Sequence, residues 1–394
     1  MTKPRTSFLD IFIRQFRQIL HDGGVMLFFI FLPLAYPIIY SLIYNPEVVR
    51  DVKMVVVDND RTPLSRQFTR NMDATQEAEV IGYAADLAEA KRAMDSHQCY
   101  AILEIPKGFE RKVGRGESSP AILYCEMSLL LRYRGFLVAA TKVQTEMGAE
   151  IQQATLSDKI PNAASLSTGD LMPISYIQMG NIEGGFDSFI MPGVLIFILH
   201  QVLVLAVAML GAGMRERREL YPFDTAAGSA GVLKMMLAQL LCCLIMMAVP
   251  ACFLLYYVPL IFRFPMQGDV FQIFAYILPM CIACVFLGQI LQGIVRQRED
   301  VFVVWVPTSV ALLFLSGLTW PRCAMATAWQ WVSDIIPATW GMQGFVKMSS
   351  NGASLAQVSG EYLNEWVLVA VYAILAFIVQ RFSLLKAIRN GKNC

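Results

Sequence analysis

Six long stretches of this chain are apolar, their only Asp, Glu, Lys or Arg being Lys234 and Arg381, each one residue in from an end: Val25–Tyr44, Phe189–Met214, Leu233–Tyr257, Val270–Val295, Val301–Leu318 and Trp366–Phe382. About 20 helical residues at 1.5 Å rise cross a hydrocarbon core of about 30 Å. In that solvent every backbone N–H and C=O must be paired within the segment, which leaves the α-helix as the structure such runs can take. Composition agrees, with 56% hydrophobic residues, 16% charged and a mean hydropathy of +0.50, far from a soluble domain. The reading is an α-helical polytopic membrane protein with six spans. The first run is not read as a signal peptide, because 24 residues precede it and no small-x-small cleavage site stands before Asn45-Pro46.

Charge sets the orientation, because short cytoplasmic segments are enriched in Lys and Arg. Lys3, Arg5, Arg14 and Arg17 precede the first run; Arg215, Arg217 and Arg218 follow the second. Arg296 and Arg298 follow the fourth, and Arg381, Lys386, Arg389 and Lys392 close the chain. The opposite short segments hold only Arg263, Arg322 and Lys347. Both termini are therefore expected in the cytoplasm, and residues 45–185 outside it. The net charge of +1 offers no global basic field, so nucleic acid is not an expected partner; the lipid bilayer is.

Residues 1–24 are expected to form an interfacial amphipathic helix. Phe8, Leu9, Phe12, Ile13, Phe16, Ile19 and Leu20 make one stripe, with Arg14, Arg17 and Gln18 opposite. Residues 25–44 are the first span. The 45–185 segment alternates strand-like and helix-like stretches: "VKMVVVD" from Val52, Pro63 opening "LSRQFTRNM", then "AEVIGY", "DLAEAKRAMDS", "CYAILEI", "KGFERKVGRG" and "AILYCEM". This predicts an inserted α/β domain. Leu130, Tyr133, Leu137, Ala140, Val143, Met147 and Ile151 then predict one long helix, and Ser157–Gly185 a linker. Residues 186–394 hold five more spans, with a charged loop at 214–232. Within them, 319–345 is expected to be a re-entrant outer segment carrying Trp320, Trp329, Trp331 and Trp340 at the headgroup level.

Several chemistries lack the residues they need. No G-x-x-x-x-G-K-[ST] phosphate loop occurs, and His21, His97 and His200 have no second metal ligand at useful spacing. The chain is therefore not expected to hydrolyse nucleotide or hold a cofactor. His200 is the sole titratable group expected inside a span, so ion-coupled transport is disfavoured. Cys281 and Cys284 have C-x-x-C spacing but sit mid-span and read as packing. Cys99 and Cys125 lie in strand-like segments, either as buried thiols or, in an oxidising compartment, as a disulfide. Asp58-Asn59-Asp60 reads as a strand-ending turn rather than a calcium loop, since no Gly or distal Glu follows at the required spacing.

The order of parts resembles a type-2 ABC exporter permease of the subgroup with a large extracytoplasmic domain between the first and second spans. "VVVDNDRTPLSRQF" (Val55–Phe68), "AILEIPKGFERKVGRGE" (Ala101–Glu117) and "LSGLTWP" with "IIPATWGMQGF" (Leu315–Phe345) carry the likeness over nearly the whole chain. The resemblance implies a separate ABC ATP-binding subunit that uses ATP and Mg, and a second permease subunit, identical or paralogous. It also implies the bacterial inner membrane and raises the question of a periplasmic adaptor. The family's coupling loop falls on Arg215, Glu216, Arg217, Arg218 and Glu219, and its ATPase-facing interfacial helix on Phe12, Arg14, Phe16 and Arg17. The string here reads "RERRELYPFDTAAGSAG" and lacks the Gly-Thr pair usual in the family. The expected function is export of a hydrophobic or amphipathic substrate. The alternative is a membrane receptor or scaffold whose outer domain senses a ligand.

Overall fold

Ser7 and Asp10 cap the first helix reciprocally, the Ser7 N–H donating to the Asp10 carboxylate at 3.1 Å, so α1 runs Phe8–His21. In this computed structural model, residues 7–44, 49–128, 130–159, 181, 185–216 and 228–389 are described. Asp22 caps α2 (Gly23–Met26), a π-helical turn covers Leu27–Phe31, and α3 runs Leu32–Ile43. The wide turn has a cause. Pro33 lacks an N–H and its ring would strike the carbonyl four residues back, which a π-turn moves aside.

The chain divides into two units, Pro46–Ile177 being inserted into a unit made of Met1–Asn45 and Gln178–Cys394. The inserted unit contains β1 (Val52–Asp58), α4 (Pro63–Asp73), β2 (Ala78–Tyr83), α5 (Leu87–Asp95), β3 (Ala101–Ile105), α6 (Phe109–Gly114), β4 (Ile122–Cys125) and α7 (Leu130–Lys159). The strand order is β2-β1-β3-β4, with β1 parallel to both neighbours and β4 antiparallel to β3. Because side chains alternate along a strand, β1 feeds two cores. Val52, Met54 and Val56 pack with Met72 of α4, Phe109 of α6, and Phe136 and Val143 of α7; Val55 and Val57 pack with Ile102 and Ala90 of α5.

The other unit continues with α8 (Phe186–Glu216), α9 (Gly228–Cys252), a second π-helical turn (Phe253–Tyr257) and α10 (Val258–Phe262). Pro259 stands after that turn as Pro33 does after the first. Then come α11 (Val270–Ile294), α12 (Arg298–Leu315), α13 (Thr327–Asp334), α14 (Pro337–Asn351) and α15 (Ser359–Arg389). The most enclosed is α8, 83% buried over its most apolar window against 22% for α15, so it forms the centre of the bundle. It meets α11 closely because Gly288 has no side chain; a Cβ there would stand 2.7 Å from that of Val207.

Five helical stretches among the described residues are long and apolar enough to cross a membrane: Gly23–Ile43, Phe186–Glu216, Gly228–Phe262, Val270–Ile294 and Ser359–Lys386. The chain is a multi-pass membrane protein. The expected fifth run appears as α12, whose first turn is Arg298, Glu299 and Asp300, leaving a short uncharged stretch behind it. The expectation that His200 is the only titratable group inside a span needs correction. Glu365 lies one residue before the apolar run read from the sequence, but α15 begins at Ser359, and the carboxyl is fully buried inside that span. A buried helix extends past the end of its apolar run wherever neighbouring helices cover it, which the run alone does not show.

Candidate functional site

The charge break after α8 is where the structure gathers partners from distant parts of the chain. The Arg215 guanidinium donates to the carbonyls of Gly293 (3.0 Å) and Val295, and to Ser383 Oγ of α15 at 3.1 Å. Gly293 and Val295 flank the C-terminus of α11, where the last carbonyls have no intrahelical donor and the helix dipole favours a cation. Arginine's fork serves two of them at once.

Arg298, at the start of α12, completes a second set of contacts. Its backbone N–H donates to Glu216 Oε1 at 3.0 Å, and its guanidinium Nε stands 3.5 Å from Glu216 Oε2. Nη1 donates to Asp22 Oδ1 at 3.0 Å, and Nη2 pairs with the other Asp22 oxygen, making a bidentate bridge. Asp22, its side chain 3% exposed, also accepts the Val25 N–H at the start of α2. The guanidinium lies on the backbone of Gly213, where a Cβ would collide with it. These contacts form a collar. Asp22, Arg215, Glu216 and Arg298 fasten together the start of the first span, the end of α8, the α11–α12 turn and α15.

The expected coupling residues therefore divide. Arg215 and Glu216 are held within the collar, whereas Arg217, Arg218 and Glu219 lie outside the described residues. On α1, Phe12 and Phe16 are half-buried with their rings stacked 5.9 Å apart, and Arg14 and Arg17 are exposed. The buried stripe is Ile11, Gln15 and Ile19, while Phe8, Leu9, Ile13 and Leu20 of the expected stripe remain exposed. The helix packs on α9, where Gln15 reaches the Met235 carbonyl (3.5 Å) and Cys242 Sγ reaches that of Phe12 (3.5 Å).

Next to this contact lies a glutamine cluster that sequence reading missed. Gln239 donates to Gln292 (3.0 Å), Gln289 donates to Gln239 (3.1 Å) and to the Met236 carbonyl (3.0 Å), and Gln380 donates to the Gln289 carbonyl (2.7 Å). All four side chains are fully buried. Their signal was an amide within otherwise apolar helices, where each must find a partner helix.

The 319–345 segment folds as the pair α13 and α14. Arg322 pairs with Asp334 and lies 4.6 Å over the Trp340 ring; the Trp340 indole donates to the Asp334 carbonyl at 3.0 Å. Tyr276 Oη donates to the Trp340 carbonyl at 2.7 Å, which seats α14 on α11. Trp320, Trp329 and Trp331 are exposed. Glu365 faces this junction from α15, with the Gly341 backbone beside its carboxyl.

In the inserted unit the acidic turn is a capping device. Asp58 accepts the N–H groups of Asp60 (3.0 Å) and Arg61 (2.8 Å) and the Ser65 hydroxyl (2.7 Å). Asp60 accepts the Thr62 hydroxyl (2.8 Å) and the N–H groups of Gly108 (2.6 Å) and Glu110 (2.9 Å) at the start of α6. Desolvation raises the Asp60 carboxyl, but these donors outweigh it and hold the group below its ordinary value. Cys99 and Cys125 are free thiols. They pack on opposite faces of the sheet, Cys99 with Val55 and Ala90, Cys125 against the core of Val52 and Met54, which accounts for the absence of a bridge between them. Burial pushes the Cys125 thiol up to about 11.

A family model described as ABC-2 family transporter protein matches residues 24–378. No curated protein matches the chain.

Proposed function

Because this chain belongs to the ABC-2 family of transporter proteins, we propose that it is the permease half of an ATP-driven exporter whose motor engages the collar. Permeases of this family are membrane subunits that are not themselves the ATPase, and they normally work with an ATP-binding subunit. The finer reading takes α12 as a further span, giving six, with both termini in the cytoplasm of a bacterial inner membrane and the inserted unit outside. Two permease subunits stand side by side over two ATPase subunits that hold ATP and Mg. The cargo is hydrophobic or amphipathic and moves outward from the cytoplasm or inner leaflet; a periplasmic adaptor would extend the path.

The observation that carries this reading is the collar. A push on the residues after Glu216 cannot move α8 alone, because Arg215 grips the end of α11 and α15 while Glu216 and Arg298 grip α12 and Asp22. The exposed Arg14 and Arg17 of α1 lie on the helix that packs beside it on α9. Motor closure would thus be delivered to several spans together.

The test separates docking from transmission. The full chain should bring down a soluble ATPase, and Arg217→Ala with Glu219→Ala should weaken that association. Arg298→Ala should leave association intact and lower cargo-stimulated ATP hydrolysis in the reconstituted complex. Undiminished pull-down by the Arg217/Glu219 pair would end the docking assignment, and unchanged stimulation with Arg298→Ala would end the transmission role.

A further inference from the structure

His200 sits midway along α8 and is fully buried, yet neither ring nitrogen has a hydrogen-bond partner among the described residues. Its ring lies 5.6 Å from that of Trp305, midway along α12, and 6.1 Å from Phe197. The Trp305 indole nitrogen is likewise buried without a hydrogen-bond partner among the described residues, as is the amide nitrogen of Gln201, the next residue on α8. Three nitrogens on two facing rings are therefore withdrawn from water with nothing to bond. A polar group buried without a partner bears its full desolvation penalty in a protein interior. The rest of a close-packed apolar seam would have been cheaper with phenylalanine at both places.

From this geometry we propose that the α8–α12 seam at His200 and Trp305 is a binding site for the hydroxyl group of a neutral amphipathic cargo. The proposal rests on the exporter reading for its cargo and deepens it. The donor and acceptor inventory selects the ligand chemistry. The indole offers one N–H and no acceptor, and a neutral imidazole offers one of each. A hydroxyl oxygen accepts from the indole N–H while its O–H donates to the unprotonated imidazole nitrogen, so one small group bridges the two rings.

A charged head would be out of place. No Asp, Glu, Lys or Arg occurs between Ser188 and Met214 on α8, or between Val301 and Leu315 on α12, so neither an anion nor a cation finds a counter-charge along these stretches. The apolar body of the ligand has its own neighbours. Phe302, one turn before Trp305, stands 5.6 Å from Phe28 of the first span, ring to ring. Access follows from the exposure of α12. It packs on α8, while Val303, Val306, Val310 and Phe314 on its other side are exposed, so outward movement of α12 opens the seam without unpacking the bundle.

The experiment uses the full chain in lipid nanodiscs and two photoreactive probes of equal length, a diazirine-bearing long-chain alcohol and its hydrocarbon counterpart. Label is mapped by mass spectrometry to the peptides covering residues 186–216 and 298–315. The alcohol should label them about tenfold more than the hydrocarbon, the ratio expected for hydrogen bonds worth about one decade of affinity. His200→Phe with Trp305→Phe should bring that ratio to about one with hydrocarbon labelling unchanged, and His200→Gln, which keeps a donor and an acceptor, should retain a preference. Equal labelling of wild type by both probes, or a preference that survives the double Phe variant, overturns the site; a buried water alone gives the first result. The assay contains no ATPase, so its failure is distinct from a failure of the motor partnership.

Discussion

The two units satisfy their polar groups in opposite ways. In the inserted unit the partners are close in sequence or meet at strand ends. Thr62 and Ser65 cap α4 reciprocally, Asp86 accepts the Glu89 N–H at 2.7 Å while Glu89 accepts that of Ala85 at 2.7 Å, and Asp60 closes the start of α6. In the membrane unit the partners are far apart in the chain. Arg298 reaches Asp22, Gln239 reaches Gln292, and Gln380 reaches Gln289. Water explains the contrast, because a polar side chain at the surface of the inserted unit can fall back on solvent whereas one between membrane helices must find another helix. Local capping is what a chain can afford when solvent is nearby, and long-range pairing is what it needs when solvent is excluded.

The comparison breaks first at the collar, where the largest effect is expected. Asp22→Ala leaves the Arg298 guanidinium without its bidentate partner in a largely buried place and should cost about 3 kcal/mol of unfolding free energy in detergent. The Asp22/Arg298 double-mutant cycle should give a coupling above about 1 kcal/mol, and additive losses would show that the bridge does not join the helices. A smaller loss, about 1–2 kcal/mol by the same unfolding measurement, is expected for Gln289→Leu, which removes donors to both Gln239 and Met236.

Glu365→Gln sharpens the contrast from the other direction. Replacing a buried carboxyl beside the Gly341 backbone by a neutral amide of the same shape, whose oxygen can still accept, should not lower stability, and a melting point below wild type would contradict the absence of a charge partner among the described residues.

Smaller again is Asp60→Asn, at about 1 kcal/mol, because the inserted unit has water as an alternative donor. Here the pH sign is fixed. The folded carboxyl titrates below its ordinary 3.8, so its contribution is present above that value and lost as pH falls through the lower folded value. Amide exchange of Gly108 and Glu110 should speed up over that acidic window, and a constant rate would separate Asp60 from the α6 cap. The least effect concerns thiols. With its thiol pushed up to about 11, Cys125 should alkylate far more slowly at pH 8 than the exposed Cys323 and gain about tenfold per pH unit; labelling at matching rates would contradict its burial.

Much of the inserted unit was legible before any coordinates. β1 and β2 occupy the segments read as strands, Val52–Asp58 and Ala78–Tyr83, because alternation, Pro63 and the acidic turn are all local signals. The charge break at the end of α8 was legible through its arginines, but the contacts of Arg215 and Glu216 were not. Arg215 and Glu216 read as outward-facing contacts, yet both bond within the chain, since nothing near them in sequence announces Gly293, Ser383 or Arg298. On α1, Gln15, which the apolar stripe did not include, is buried on α9, while Leu9 and Ile13 of the expected interfacial stripe are exposed. A stripe gives the angle between faces and leaves open which face meets protein, since lipid accepts apolar side chains as readily as a helix does.

The sequence by itself determined that this is a membrane protein with an inserted α/β unit, because backbone hydrogen bonding in hydrocarbon and strand alternation are conditions met residue by residue along the chain. Tertiary structure alone decided that Asp22 and Arg298 close a collar, that four glutamines join helices, and that Glu365 and His200 are buried. Those outcomes depend on which helix faces interlock, and close packing among α8, α11 and α15 is settled only when all of them are in place.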